Sequence, residues 1–430
     1  MDAIRFSLLA VLFLGLCGFV SEEVDAEPIW EYDGNELVHA IAISDDGEYI
    51  VVGSEVPKVH LFNKESSTPL WEYTTEFHVI SVAISADGTY IVAGGKDNNV
   101  YFFNKDSSTP LWIYTTEDEV ESVDISANGE YITATSDDNK VFFFHKDNGT
   151  PLWIRSSAGD DEVAISADGE YIAATNNQDL YLFHKDNSTP LWTSENNSAG
   201  DSVSISADGQ YIVTGGSKYD TKQVSLFHKD NNTPLWIYTT WEQVRSVSIS
   251  ADGQYIVAGG VDEYVYLFHK DNDTPLWKYE VSDTVQSVSI SADGQYIIAG
   301  YYDGGDYSSI LFHKDSSTPL WSYARGGGYL VSISADGIHI VSTSSQDVHL
   351  LDRSVDPNSN NNEDTPCQHG DVKLADDGIN QCVCNLVEWV CTNVEYEDGG
   401  SGDDDGIFGI PGPSLIAALG VLLAVARRRR

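Results

Sequence analysis

Eight near-copies of one segment, each about 40 residues long, fill most of this 430-residue chain and limit what it can fold into. One copy reads SVSISADGQYIVAGGVDEYVYLFHKDNDTPLW and ends at Trp277. Its tryptophan recurs at Trp30, Trp71, Trp112, Trp153, Trp192, Trp236, Trp277 and Trp321, spaced 39 to 44 residues apart. An Asp-Gly or Asn-Gly pair recurs in step, ending at Gly47, Gly88, Gly129, Gly169, Gly209, Gly253, Gly294 and Gly337. A fixed period of this length marks one supersecondary unit that buries its apolar faces against its neighbours. A residue present in every copy is therefore scaffold before it is active site.

Each unit parses into four short strands. In one copy the first is SVSIS, where Val288 and Ile290 alternate with Ser287, Ser289 and Ser291; QYIIAG follows. VYLFH and PLWKY represent the third and fourth. All are rich in β-branched and aromatic residues at strand length, and nothing between them keeps a helical period. Ser-Ala-Asp-Gly between strands one and two supplies a glycine for positive φ and an aspartate to bond its own backbone, with Asn128 in that role once. Lys-Asp-Asn-Ser-Thr-Pro makes the second turn, and its proline opens strand four, where a missing N–H is tolerated. Small residues early and large ones late make a wedge that broadens outward. Four strands per unit, eight times over, predict an all-β, eight-bladed β-propeller. The first tryptophan sits in a lone fourth strand, Pro28 to Tyr32, and the last unit ends at a third strand, Val348 to Asp352. The leading strand is expected to complete the last blade and close the ring.

The units resemble WD repeats in the pattern SVSISADGQYIVAG, and quinoprotein-like repeats in the turn before a Leu-Trp pair, as in NSTPLW before Trp192. The resemblance spans about 29–351 and implies architecture rather than activity. The Trp-Asp dipeptide of WD repeats is replaced by Phe-His-Lys or Phe-Asn-Lys. The adjacent cysteine pair of quinoprotein dehydrogenases is missing, so no quinone cofactor is implied.

The formal charge is −44, from 67 acidic and 23 basic residues. Such a surface has nothing to neutralise a row of phosphates, which excludes nucleic acid as a partner. The charge reads as a solvation device that keeps the chain monomeric. No cofactor is called for beyond cations loosely held by the acidic surface, calcium among them.

Both ends read as export signals. Residues 1–26 form a signal peptide, with Arg5, an apolar run from Phe6 to Val20 and a polar SEEVDAEP. Cys17 in LGLC lacks the small residue of a lipobox before it, so it leaves with the signal. Residues 410–430 hold Pro411 to Pro413, an apolar stretch from Leu415 to Ala426 and four terminal arginines. That ending resembles the PEP-CTERM and PGF-CTERM sorting tails of prokaryotic surface proteins, which a membrane protease removes; a plain anchor is the alternative. Either way the tail meets the membrane, with Arg427 to Arg430 cytoplasmic and the rest outside.

Between them lie the propeller at 27–352, a polar linker at 353–366, a cysteine module at 367–395 and an acidic linker at 396–409. Outside the cytoplasm Cys367, Cys382, Cys384 and Cys391 favour two disulfides over zinc. CQHGDVKLADDGINQCVCNLVEWVCT resembles pacifastin-type and von Willebrand type C modules that have lost two cysteines. Ile379 stands at the second cysteine position, and none follows Cys391 where the sixth would be. That resemblance implies the pairs Cys367–Cys384 and Cys382–Cys391. The protease-inhibiting loop of the family would be untethered here, which leaves a spacer or adhesion role.

Comparison among the copies locates a candidate site. Turns one–two and three–four barely vary. Loops four–one and two–three do, as in GYYDGGDYSS and SYARGGGYL, and both emerge on one face. Loops on a rigid scaffold carry recognition. The residues that stand out are His78, Arg155, Tyr219, Trp241, Arg245, Tyr301, Tyr302, Tyr307, Arg325 and Tyr329, types favoured as binding anchors. The partner they suit is an extracellular protein or glycan. His145, His184, His228, His269 and His313 repeat at blade spacing, too far apart for one metal, and read as turn residues bonding backbone. Asn-x-Ser/Thr, a glycan acceptor sequence in exported proteins, occurs at Asn148, Asn187, Asn196, Asn231 and Asn272; four lie in the repeated turn, which uses Asn and Thr, and repetition of that turn is the simpler cause.

No catalytic motif emerges. The expectation is a non-catalytic cell-surface binding or adhesion protein. The alternatives are a secreted hydrolase or lyase using the loop face or channel, with isolated carboxylates such as Asp97 or Asp262, and a structural surface-layer component.

Overall fold

The computed structural model describes residues 26–159, 161–176, 179–194, 202–216, 222–324 and 327–354, and the backbone of three later strands. Eight four-stranded antiparallel sheets follow one another, each in the order a-b-c-d from the axis outward. Blade 6 shows the pattern: Val244–Ile249, Tyr255–Gly260, Tyr264–His269 and Asn272–Glu280. The strands a of blades 1 to 5 are Val38–Ile43, Val79–Ile84, Val120–Ile125, Val163–Ile165 and Ser202–Ile205. Those of blades 7 and 8 are Val285–Ile290 and Val331–Ile333. Strands b and c are packed on both faces and accordingly read as near-continuous apolar runs. In blade 2, Ile91, Val92, Ala93, Val100, Phe102 and Phe103 are all fully buried. Each inter-blade core joins two blades, as Val92 and Phe102 of blade 2 do with Ile132 and Phe142 of blade 3.

The ring closes as the missing and spare strands require. Strand d of blade 8 is Trp30–Asp33, paired antiparallel with Asp347–Asp352 in the register Trp30 to Leu350, Glu31 to His349 and Tyr32 to Val348. The Asp-Gly turns then form a continuous circle of backbone hydrogen bonds. Ala86 N–H donates to Ala127 C=O at 3.0 Å, and the relay passes through Ala167, Ala207, Ala251, Ala292 and Ala335 to Asp45 at the same distance. Asp46 N–H completes it on Ala86 at 3.4 Å.

The repeated tryptophans are latches between blades. Every indole N–H donates to the c–d turn carbonyl of the next blade: Trp71 to Lys105 at 2.8 Å, Trp112 to Lys146 at 2.9 Å, and so on to Trp321 on Arg353 at 3.3 Å. Trp30, from the leading strand, reaches Lys64 of blade 1 at 2.7 Å. Each such bond contributes ~1 kcal/mol net. The same lysines lie over the strand-b tyrosines of the preceding blade, as Lys105 does over Tyr49 at 5.4 Å.

The alternating serines of strand a have a role beyond small size. Strand a is the inner edge of its sheet and leaves N–H groups unpaired. The preceding blade supplies acceptors: Ser81 Oγ takes Val123 N–H, Ser202 takes Val247, Ser246 takes Val288 and Ser287 takes Val331, at 2.9 to 3.2 Å. The repeated histidines bond backbone as their position suggests. Nδ1 of His145 accepts Asp147 N–H at 3.3 Å, and Asn63 Oδ1 does the same job for Glu65 at 3.1 Å.

A second unit, 362–430, is described only by the backbone of a three-stranded antiparallel sheet, Val372–Leu374, Gln381–Asn385 and Glu388–Thr392. Its register sets Cys382 opposite Cys391. The side chains of the four cysteines, the expected signal peptide up to residue 25 and the C-terminal tail lie outside the described residues. Among the described residues no helix is long and apolar enough to cross a membrane.

Candidate binding face

Loops d–a and b–c come out on one face because each blade runs up and down four times. The b–c hairpin of blade 7 differs from expectation. GYYDGGDYSS is not a loop but the end of two long strands, Tyr296–Asp303 and Asp306–His313, turning through Gly304 and Gly305. Tyrosine and serine continue the ladder, and the two glycines make the tight turn. The hairpin therefore stands above the face as a rigid prong.

That prong gathers the aromatic candidates. Tyr302 and Tyr307 meet edge to face at 5.3 Å, and Tyr307 meets Tyr329 in the same way at 5.3 Å. Tyr307 has its hydroxyl raised in pKa by burial and by the two flanking tyrosines, and the Arg245 charge opposes this. Arg245 Nη1 donates to Gln286 Oε1 at 3.0 Å. Arg245, Gln286 and Tyr329 occupy equivalent positions at the channel mouth, in strands a of blades 6 and 7 and just before that of blade 8. Tyr301 pairs opposite Val285 and packs on the blade 7 core, so it supports the cluster rather than lining it.

The remaining candidates stand apart. Trp241, 71 % exposed, is the most exposed large apolar side chain of the described residues. It meets Tyr264 edge to face at 6.0 Å, and Lys278 lies 4.1 Å from the Tyr264 ring centre. His78 stacks on His39 at 5.9 Å in blades 1 and 2. Arg155 is not in a loop: it pairs opposite Val141 within a strand, half-buried. Tyr219 and Arg325 lie outside the described residues.

Asp97 and Asp262 are loop ties. Asp97 Oδ2 accepts the Tyr101 hydroxyl at 2.6 Å and Glu76 N–H at 3.1 Å. Asp262 Oδ2 accepts the Tyr266 hydroxyl at 2.7 Å and Trp241 N–H at 3.3 Å. Burial, then the bond to aspartate, holds both tyrosine hydroxyls well above their ordinary pKa. Each aspartate thus joins a d–a loop to the neighbouring b–c turn.

Across the mouth lies an acidic arc that the repeat comparison does not single out, because acids are common everywhere in this chain. Oxygens of Glu119, Glu121 and Asp137 lie within 4.8 Å of one another. They are close enough to share a cation such as calcium, and Lys96 already pairs with Glu119 at 3.2 Å. Burial, then Asp137 and Glu119, pushes the Glu121 carboxyl up to about 7. A raised carboxyl pKa means that the native state binds more protons than the unfolded chain between pH ~4.5 and ~7, so stability falls as pH rises through that window. Glu121→Gln is expected to stabilise the propeller at pH 8 and to leave it unchanged near pH 4, read by urea unfolding at both. Equal effects at both pH values would refute the assignment.

The fold and face define a propeller built of WD-like and quinoprotein-like repeats. A family model described as outer membrane protein assembly factor BamB matches residues 22–238, and the chain belongs to that family. A second model, the WD domain G-beta repeat, matches residues 232–269. Among solved structures, the C-terminal WD40 domain of Sif2 is similar with a TM-score of 0.66 at 16 % identity, over 77 % of this chain and 99 % of that one, which is a likeness of fold. No curated protein matches in sequence.

Proposed function

We propose that this chain is an exported, surface-anchored propeller that binds an extracellular protein or glycan through its d–a and b–c loop face. The observation that carries this reading is the cluster at the channel mouth, Tyr302 and Tyr307 on the prong with Tyr329 and Arg245 of the neighbouring blades beside them. It stands on a face that differs from blade to blade, while the opposite face repeats. Rigid tyrosines lose little entropy on binding, and Tyr and Arg are favoured anchors. Rings beside amides and carboxylates also suit the apolar faces and hydroxyls of a sugar. The role is recognition without catalysis, and the C-terminal tail holds the protein at the membrane.

The test is a binding screen of residues 27–352 against surface extracts and glycan arrays, with and without calcium. Saturable binding is expected, and Tyr307→Ala with Arg245→Ala weakens it by about 30-fold or more, the scale of a hot-spot loss of ~2 kcal/mol. His145→Ala, on the opposite face, leaves it unchanged. No saturable binding, or equal loss from both faces, refutes the reading.

A further inference from the structure

We infer that the repeating face is a modification face, with N-linked glycans on Asn148, Asn187, Asn231 and Asn272 of blades 3 to 6. Each heads an Asn-x-Thr sequence whose middle residue is Gly149, Ser188, Asn232 or Asp273, none of them proline. All four asparagines and their threonines are exposed at the start of strand d, next to the c–d turn. In each, Oδ1 accepts the N–H of the threonine two residues on, at 2.8 to 3.1 Å. The Nδ2 atom, where a sugar would join, donates to no protein group among the described residues, and each asparagine is exposed.

Turn chemistry alone does not account for these asparagines. Ser66 builds the same turn in blade 1, its Oγ accepting Thr68 N–H at 3.0 Å and strand d starting there as it does at the asparagines. Ser107 and Ser316 make the same bond to Thr109 and Thr318 at 3.1 and 2.9 Å, but strand d starts only at Trp112 and Trp321. Serine is thus an equivalent solution in blade 1, where the need for a turn does not call for asparagine. The asparagines are also grouped. Blades 3 to 6 are contiguous and each carries one, while blades 7, 8, 1 and 2 carry none. The fifth such sequence, at Asn196, lies between blades 4 and 5, outside the described residues. Sugars at these positions would hydrate one half of the repeating face and leave the loop face clear.

The step is a glycosyl transfer with no change of oxidation state. Nδ2 forms a bond to the anomeric carbon of a lipid-phosphate-linked oligosaccharide. The bond from that carbon to the phosphate oxygen breaks, its electron pair leaves with the lipid phosphate, and Nδ2 passes one proton to a carboxylate of the transferase. The inference shares with the proposed function only the reading that the chain is exported.

The experiment is glycopeptide mass spectrometry on the full chain from cells that make it, with interior and exported fractions kept apart. Sugar on any of the four asparagines, abolished by its own Asn→Ser change, supports the inference. Serine retains the bond to the threonine N–H, as Ser66, Ser107 and Ser316 do in blades that fold, so such variants fold. Thr150→Ala is expected to remove the Asn148 glycan and Thr150→Ser to retain it. Four bare asparagines in the exported protein overturn it, as does a chain confined to the interior. The fourfold Asn→Ser variant keeps loop-face binding intact, so failure here is distinct from failure of the recognition reading.

Discussion

Deleting residues 27–34 lowers the melting temperature of the propeller by on the order of 10 °C or more, the largest effect expected from any short change. Trp30 stacks on Phe62 of blade 1 at 5.6 Å, Tyr32 meets the same ring edge to face at 5.0 Å, and Glu31 accepts the Tyr323 hydroxyl at 3.1 Å. The strand thus touches blades 1, 7 and 8 at once. Losing one well-packed Trp or Phe costs about 3–5 kcal/mol, and a paired strand and a latch go with it. Deletion also bares Asp347–Asp352 as a sheet edge, so aggregation should accompany the lower melt. Trp30→Phe, which removes only the bond to Lys64, is expected to cost ~1 kcal/mol. Thermal unfolding of both variants checks this, and an unchanged melt on deletion would mean that the ring closes elsewhere.

Gly328→Ala is expected to destabilise the protein by more than about 3 kcal/mol, an effect that urea unfolding can measure. Gly328 has φ of 123°, a conformation that side chains rarely adopt. A methyl there would collide with the Ser308 carbonyl oxygen, which is backbone and has nowhere to go. The neighbouring Tyr329 would be displaced from Tyr307, so binding should weaken with stability. Gly305→Ala, at the tip of the prong, meets nothing within 4 Å and is the control. A neutral Gly328→Ala would show that the d–a loop of blade 8 is free to move, against the rigid face described above.

The scaffold was legible because repetition makes one unit testify for the others. Trp71 and Gly88 each recur at every blade, so their positions fix period, strand number and closure at once. What repetition cannot reveal is which neighbour a side chain serves. Ser246 looks like a small channel residue, yet its hydroxyl satisfies Val288 in the next blade, a pairing separated by 42 residues. The site was legible only as a list of unusual residue types. Tyr302, Tyr307, Tyr329 and Arg245 proved to be neighbours, whereas Arg155 lies within a strand and Asp97 serves a loop, because a residue's rarity carries no information on its orientation. The acidic arc at Glu121 was invisible for the opposite reason. In a chain of 67 acids, one more carboxylate stands out only once the fold places Asp137 beside it.

The most direct test of the central claim, that a closed disc recognises its partner through its individual face, is hydrogen exchange of the propeller with and without a bound surface ligand. The account predicts added protection at 240–245, 301–307 and 327–330, and none at the Asp-Gly turns or at the c–d turns around His145 and His184. Protection confined to those repeating turns would contradict it.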